Sequence, residues 1–399
     1  MIRRLLTVTA LAATVIASTV TAADAGRRRV DLELPQPRPD GISRAQIFDS
    51  AIPDRSVYQG RVPFVWGAYP LDAQPSDVVP SRYLPSIRDN SPDRPLAWYQ
   101  ANHPDWIMYQ ADQVTPVIQS GSSPIVTLNV ADPAVREFYF TNLVLPNIQA
   151  GYKWIALDNV VPWNWTSAAG HFNSAGTWVQ QYAGLDDPAY ATVYLDWLTW
   201  LRNRLNTYDV GLAGNISPLG VNTFQRTQSA AAVQIVDLWL HEGGFTRGRD
   251  ININDDEWAQ TFALYRSVVQ SKPVVTVGMT TTTHLVDASQ QQVDWVIANY
   301  LLVREPRTML TLCGRFEYGV WLDRPELDVN LGTPTAAPAQ DGTGAWYRDY
   351  QLGRTLVNPS STLPAVHTLP TGTWTDTHGV AHTGQVTLQP NSGIVLTRS

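Results

Sequence analysis

Two acids in this chain stand where an apolar run stops. Asp158 closes WIALD (154–158), and Glu242 follows IVDLWLH (235–241). In parallel α/β barrels the carboxyl ends of the strands form the mouth where reactants gather, and a carboxylate there is held rigidly by the residues before it. A pair of such acids suits the hydrolysis of a glycosidic bond. One carries a proton for the leaving oxygen, and the other, ionised, attacks or activates water as oxocarbenium character develops. A site walled by tryptophan raises one pKa, and polar partners hold the other down. The two acids expected to share these roles are Asp158, taken as nucleophile or base, and Glu242, taken as general acid.

Asn159 and His241 adjoin the two acids and are their nearest polar partners in sequence, although neighbours on a strand point to opposite faces. Trp163, Trp165, His171 and Phe172 fill the stretch after Asp158. Their flat faces with a polar edge suit sugar rings. Trp66, Tyr109 and Trp239 are further expected contacts, although strand aromatics also fill barrel interiors. Asp112 after WIMYQ, Asn215 after VGLAG and Glu317 in CGRFEYGV complete the polar set expected at the mouth.

No cofactor or metal is expected. His241-Glu242 lacks a second His four residues after the first, and the seven His show no metal spacing. DININDDEW (250–258) begins like a calcium loop at Asp250, Asn252 and Asn254. Asp255 replaces the turn glycine, however, and Thr261 stands where the bidentate Glu belongs, so the stretch reads as a helix start. No G-x-S-x-G elbow occurs, which leaves an esterase without its nucleophile.

The elements that must position the acids are short apolar runs rich in β-branched residues. They are FVWGAY (64–69), PLAWYQ (95–100), WIMYQ (106–110), PIVTLN (124–129), WIALD (154–158), VGLAGN (210–215), IVDLWL (235–240), PVVTVGM (273–279) and TMLTLC (308–313). Most lack alternation, as strands buried on both faces in a parallel sheet do. Helical segments lie between the later ones: 133–148 and the stretch after Asp187-Pro188, each with an Asp cap and a first-turn Pro, then 254–269 and 288–303. The pattern predicts an α/β fold, a (β/α)8 TIM barrel. With nine candidates for eight places, one early run is expected to be a loop strand. An open doubly wound sheet is the runner-up, but no Gly-rich phosphate loop follows an early strand.

Residues 1–25 read as a secretory signal peptide. Arg3 and Arg4 precede an apolar run from Leu5 to Val20, and Ala23-Asp24-Ala25 is a cleavage site. The run is too short for a span, so no membrane anchor is expected after cleavage. Residues 26–60 read as an N-terminal arm, 61–335 as the barrel and 336–345 as a linker. Residues 346–399 read as a C-terminal antiparallel β-sandwich-like module, its short runs split by NPSS, PTGT, THG and PNSG. Cys313 stands alone, so no intrachain disulfide is possible, and it is expected to pack as a small apolar residue. The formal charge is −7 and Lys occurs only at Lys153 and Lys272, which argues against nucleic acid. With 15 Trp and 16 Tyr, the expected partner is a polysaccharide or oligosaccharide, bound by a secreted, extracellular or periplasmic monomer.

HPDWIMYQAD, TLNVADPAVREFY, IALDNV and GRTLVNPSS resemble secreted glycoside hydrolase barrels of the group called hypothetical glycoside hydrolase family 15-like. These are distantly similar to the endo-α-1,4-polygalactosaminidases of glycoside hydrolase family 114. The resemblance covers roughly residues 61 to 399. It implies an Asp at the end of the fourth strand and a Glu at the end of the sixth, roles that fall on Asp158 and Glu242. The chain departs from the set at GYKW (151–154), where those barrels often carry a Gly-Phe-Asp-Gly-type run. The competing expectation is a glycan-binding protein on a degenerate barrel, its acids serving structurally.

Overall fold

The computed structural model describes residues 32–117, 126–247 and 252–398, so the leader expected at 1–25 lies outside the described residues. Eight short strands run parallel: β1 Ala45–Ile47, β2 Phe64–Trp66, β3 in two pieces (Val79–Pro80 and Arg82–Pro85), β4 Trp154–Asp158, β5 Gly211–Asn215, β6 Leu238–Glu242, β7 Val274–Met279 and β8 Thr308–Cys313. The second piece of β3 pairs with β4, and β4 to β8 follow in order; β1, β2 and the first piece of β3 form a second parallel ribbon. Ser81 joins the two sets, donating its backbone N–H to Val65 O at 3.0 Å and accepting from Ala68 N at 2.9 Å. At the far edge Arg44 bridges Leu310 in parallel, and Leu310 N donates to Ser43 O at 2.8 Å.

The side-chain period of two sorts these strands into two cores. One cluster draws a residue from all eight, including Ile47, Trp66, Val79, Trp154, Ala156, Ala213, Leu238, Leu240, Val277 and Met309. The intervening positions, such as Ile155, Leu157, Leu212, Trp239, Val274, Leu310 and Leu312, join a second cluster shared with the helices. Leu32 and Leu34 pack against the first cluster, where Trp154 Nε1 donates to Glu33 O at 2.7 Å. A Cβ on Gly211 would lie 2.5 Å from the Trp154 ring, so the indole occupies room that only glycine leaves.

The helices are α1 Leu96–Asn102, α2 Pro133–Tyr139 (running on through a π turn into Leu145–Gln149), α3 Pro188–Asn206, α4 Thr223–Ile235, α5 Asp255–Val268 and α6 Gln290–Val303. The two Asp-Pro starts behave as read: Asp132 accepts from Ala134 N and Asp187 from Ala189 N, each at 2.8 Å. Asp255 opens α5, as the helix-start reading requires, while residues 250 and 251 lie outside the described residues.

The front of the chain differs from the expected pattern. PLAWYQ forms α1 rather than a strand. From WIMYQ only Tyr109–Gln110 is a strand, paired antiparallel with Ala169–Phe172, and the described part of PIVTLN gives Val126–Thr127, antiparallel to Arg88–Asp89. β1 lies inside the stretch read as an arm, and Ile42, Ala45 and Ile47 there are buried. It has three residues, and β3 is broken at Ser81. Neither is long enough to display a period.

After β8 the sheet is antiparallel. Six strands order as Ala339–Gln340, Trp346–Asp349, Gly353–Asn358, Ser392–Arg398, Trp374–Asp376 and Ala381–His382, beside a pair formed by Ala365–Thr368 and Gln385–Leu388. Ala339–Gln340 falls within the expected linker. The sheet covers α6, which is buried at every position from Val293 to Val303. Thr355 Oγ1 donates to Ala298 O at 3.1 Å, and a Cβ on Gly393 would lie 2.6 Å from that of Ala298. A helix this largely apolar needs cover on both sides, and here it has the parallel sheet on one and the antiparallel sheet on the other. Cys313 is buried at the end of β8, as expected.

Candidate active site

Counting back by twos from Asp158 reaches Ala156 and Trp154, and from Glu242 reaches Leu240 and Leu238. All four belong to the first cluster, the inner core fed by all eight strands. Asn215 stands two residues beyond Ala213, also an inner residue. The same parity thus brings Asp158, Asn215 and Glu242 to the inner face at the carboxyl ends of three adjacent strands, each partly exposed after four buried residues.

Asn215 Nδ2 lies 2.8 Å from Asp158 Oδ1 and 2.6 Å from Glu242 Oε2. Only the amide nitrogen can donate to two carboxylates, so the neighbours settle the orientation of this side chain. Laid end to end, those distances set 5.4 Å as the upper bound on the separation of the two acceptor oxygens. Asp158 accepts three further bonds, each of 2.8 Å: from Asn159 N on Oδ1, and from Tyr83 Oη and Asn159 Nδ2 on Oδ2. Glu242 Oε1 accepts from Tyr318 Oη at 2.8 Å.

Burial raises the pKa of Glu242, and the charge of Asp158 adds to that, while the Asn215 and Tyr318 donors pull it back. Burial and the neighbouring carboxylates raise the phenols of Tyr83 and Tyr318 as well, so both remain protonated donors. Asn159 takes φ 53°, a left-handed conformation that Asn tolerates better than most residues. The strand ends at Asp158, and the turn folds the Asn159 amide back onto the carboxylate it follows. Opposite pointing of strand neighbours therefore does not apply here.

A cleft of about 1570 Å³ opens beside this network, and Asp158, Tyr83 and Tyr318 lie behind its lining. Asn159, Asn215 and Glu242 line it, with Trp163 and Trp165 on the β4 side and Phe316 on the β8 side. Trp165 is 40% exposed and Phe316 52% exposed, so both offer bare ring faces.

The other expected residues lie elsewhere, for reasons of parity and turn geometry. Trp66 is buried in the inner core. Trp239 and His241 alternate with Glu242 and face the helices. Trp239 Nε1 donates to Ile216 O, His241 Nδ1 meets Tyr265 Oη at 3.1 Å, and burial brings the imidazole pKa down to about 3. Tyr109 is buried beside Phe172 in the small antiparallel sheet, and His171 lies on the strand that flanks it, away from the cleft lining. Asp112 caps an exposed turn, accepting from Val114 N and Thr115 N. Glu317 fastens two loops, meeting His284 Nδ1 at 3.0 Å and accepting from Leu285 N at 2.7 Å. Tyr83 and Tyr318, which hold the two acids, are not among the expected residues. The latter adjoins Glu317, and a tyrosine one residue past the expected acid was the available signal. Among the described residues, no three or more His, Cys, Asp or Glu side chains gather as a set of metal ligands.

The family model described as hypothetical glycosyl hydrolase family 15 matches residues 77–354. No curated protein matches the chain. Among solved structures, a family GH13_31 enzyme is 10% identical over 81% of this chain and 83% of its own, with a TM-score of 0.47. An α-amylase from Malbranchea cinnamomea is 9% identical over 80% and 74%, with a TM-score of 0.43. The maltogenic α-amylase AmyB from Thermotoga neapolitana is 9% identical over 81% and 78%, with a TM-score of 0.42.

Proposed function

The chain belongs to hypothetical glycosyl hydrolase family 15, and from that premise we propose that it is a retaining glycosidase with Asp158 as nucleophile and Glu242 as acid/base. The observation that carries this reading is the single amide nitrogen of Asn215 shared by both carboxylates. It keeps their facing oxygens no more than 5.4 Å apart, short of the roughly 6.5–9.5 Å that leaves room for an attacking water and compatible with the closer pair of carboxyls that double displacement uses.

In the first step an Asp158 oxygen bonds to the anomeric carbon while the bond to the leaving oxygen breaks, and that oxygen takes the proton of Glu242. In the second, Glu242, now ionised, takes a proton from water as the water oxygen displaces Asp158 and frees the sugar. The raised pKa of Glu242 favours the protonated start. Asp158, accepting four hydrogen bonds, acts as an acceptor-only carboxylate.

The scaffold is read as a (β/α)8 barrel closed through Ser81 on one side and the Arg44–Leu310 bridge on the other. On that count β4 is the fourth strand and β6 the sixth. The cleft's volume and its bare Trp165 and Phe316 faces, with Trp163 beside them, support a polysaccharide substrate. Export by the leader at 1–25 and a monomeric state complete the proposal. The test is turnover on a panel of polysaccharides with product analysis. Asp158→Asn and Glu242→Gln are each expected to lower activity by at least about 100-fold with folding intact. A product of inverted configuration would refute the retaining assignment, and full activity in either variant would leave the acids structural.

A further inference from the structure

The two oxygens of Glu242 are not equivalent. Oε2 faces the Asn215 amide nitrogen at 2.6 Å, a group with hydrogens and no acceptor capacity. Asn215 thus holds Oε2 as an acceptor, which favours Oε1 as the oxygen that carries the acidic proton. That oxygen faces the Tyr318 hydroxyl at 2.8 Å, which can donate or, on rotating, accept.

The loop after β8 fixes this hydroxyl. Gly319 N donates to Ile47 O at 3.0 Å, and buried Gln46 donates its amide to Ile47 O, Phe48 O and Val320 O, tying the loop to the end of β1. The Phe48 ring meets Tyr318 edge-on at 6.2 Å and Tyr83 at 5.3 Å. One aromatic wedge thus braces the tyrosine on each acid. Phe48 holds φ 51° to do so, and Gly67 beneath it leaves the space.

We propose that Tyr318 is the positioning residue that lets Glu242 alternate between acid and base: its hydroxyl donates to Oε1 when Glu242 is ionised and turns to release that oxygen when Oε1 carries the proton. This rests on the acid/base reading of Glu242, but its test does not need turnover. The chain contains seven Glu. Protein labelled with [5-13C]glutamate therefore gives few carboxyl resonances, and Glu242→Gln assigns the one that matters. The Glu242 resonance is followed through a pH titration in the wild-type chain and in Tyr318→Phe. Loss of a donor to the ionised form is expected to raise its midpoint by about one pH unit. If Tyr318→Phe does not fold, trifluorotyrosine placed at position 318 keeps the ring and strengthens the donor, and the midpoint must then fall. An unmoved midpoint, or a shift of the opposite sign, overturns the proposal even if Asp158→Asn and Glu242→Gln abolish hydrolysis. A shift of the expected sign in a chain that cleaves no glycan would sustain the geometry and sink the glycosidase reading.

Discussion

Glu242→Gln should make the protein more stable as well as inactive. Glutamine preserves the local bonding: its oxygen accepts from Asn215 Nδ2, and its amide donates to Tyr318 Oη. The charge is what disappears. Two carboxylates with oxygens no more than 5.4 Å apart repel by about 3 kcal/mol at an effective dielectric constant of about 20. Against that, two charge-assisted hydrogen bonds become neutral ones, at a cost of roughly 1 kcal/mol each. The balance favours the variant by about 1 kcal/mol, and by more once the carboxylate no longer has to be desolvated. Because the folded-state pKa of Glu242 is raised, the wild-type chain is favoured below the unfolded pKa and loses that stability as pH rises through the folded value. The variant should therefore match wild type near pH 4 and exceed it near pH 8, with a Tm gain of about 1–2 °C for a chain of this length. Urea unfolding followed by tryptophan fluorescence at both pH values reads the difference. A variant less stable than wild type near pH 8, or a gap independent of pH, would mean that the ionised carboxylate is at ease in its site, and the case for Glu242 as the acid would fail.

Two further outcomes test the support and the platform. Gly67→Ala places a Cβ 2.6 and 2.8 Å from Phe48 ring atoms at φ 75°; urea unfolding should show a loss of about 2 kcal/mol. Trp165→Ala removes a bare ring face from the cleft, and KM on the cleaved polysaccharide should rise roughly ten-fold with kcat nearly unchanged, the scale of one lost stacking contact.

The later strands were legible because each is five or six residues long and buried on both faces, so WIALD, VGLAGN and PVVTVGM read as unbroken apolar runs. Of the earlier ones, only FVWGAY, which holds β2 at Phe64–Trp66, was. Ala45–Ile47 is too short to carry a period, and Arg82–Pro85 spends its polar residues on Asp158 and the strand edge rather than on looking apolar. The two acids stood out because each breaks an apolar run at its end. Parity was also present in the sequence: Asp158 and Glu242 share their faces with Ala156 and Leu240, which already sets Trp239 and His241 on the opposite one. What local sequence does not reveal is which face is interior, since a strand covered by helices is apolar there too. Tyr83 and Tyr318 could not be paired with the acids for another reason. They reach the acids from strands and loops distant in sequence, and only the assembled sheet brings them near.

The burial of α6 between two sheets has a consequence for how the chain must be made. A chain that has completed β8 still has α6 uncovered on one side, and the strands that cover it, Gly353–Asn358 and Ser392–Arg398, come later in sequence. The antiparallel sheet thus completes the core around α6 rather than standing beside it as an accessory.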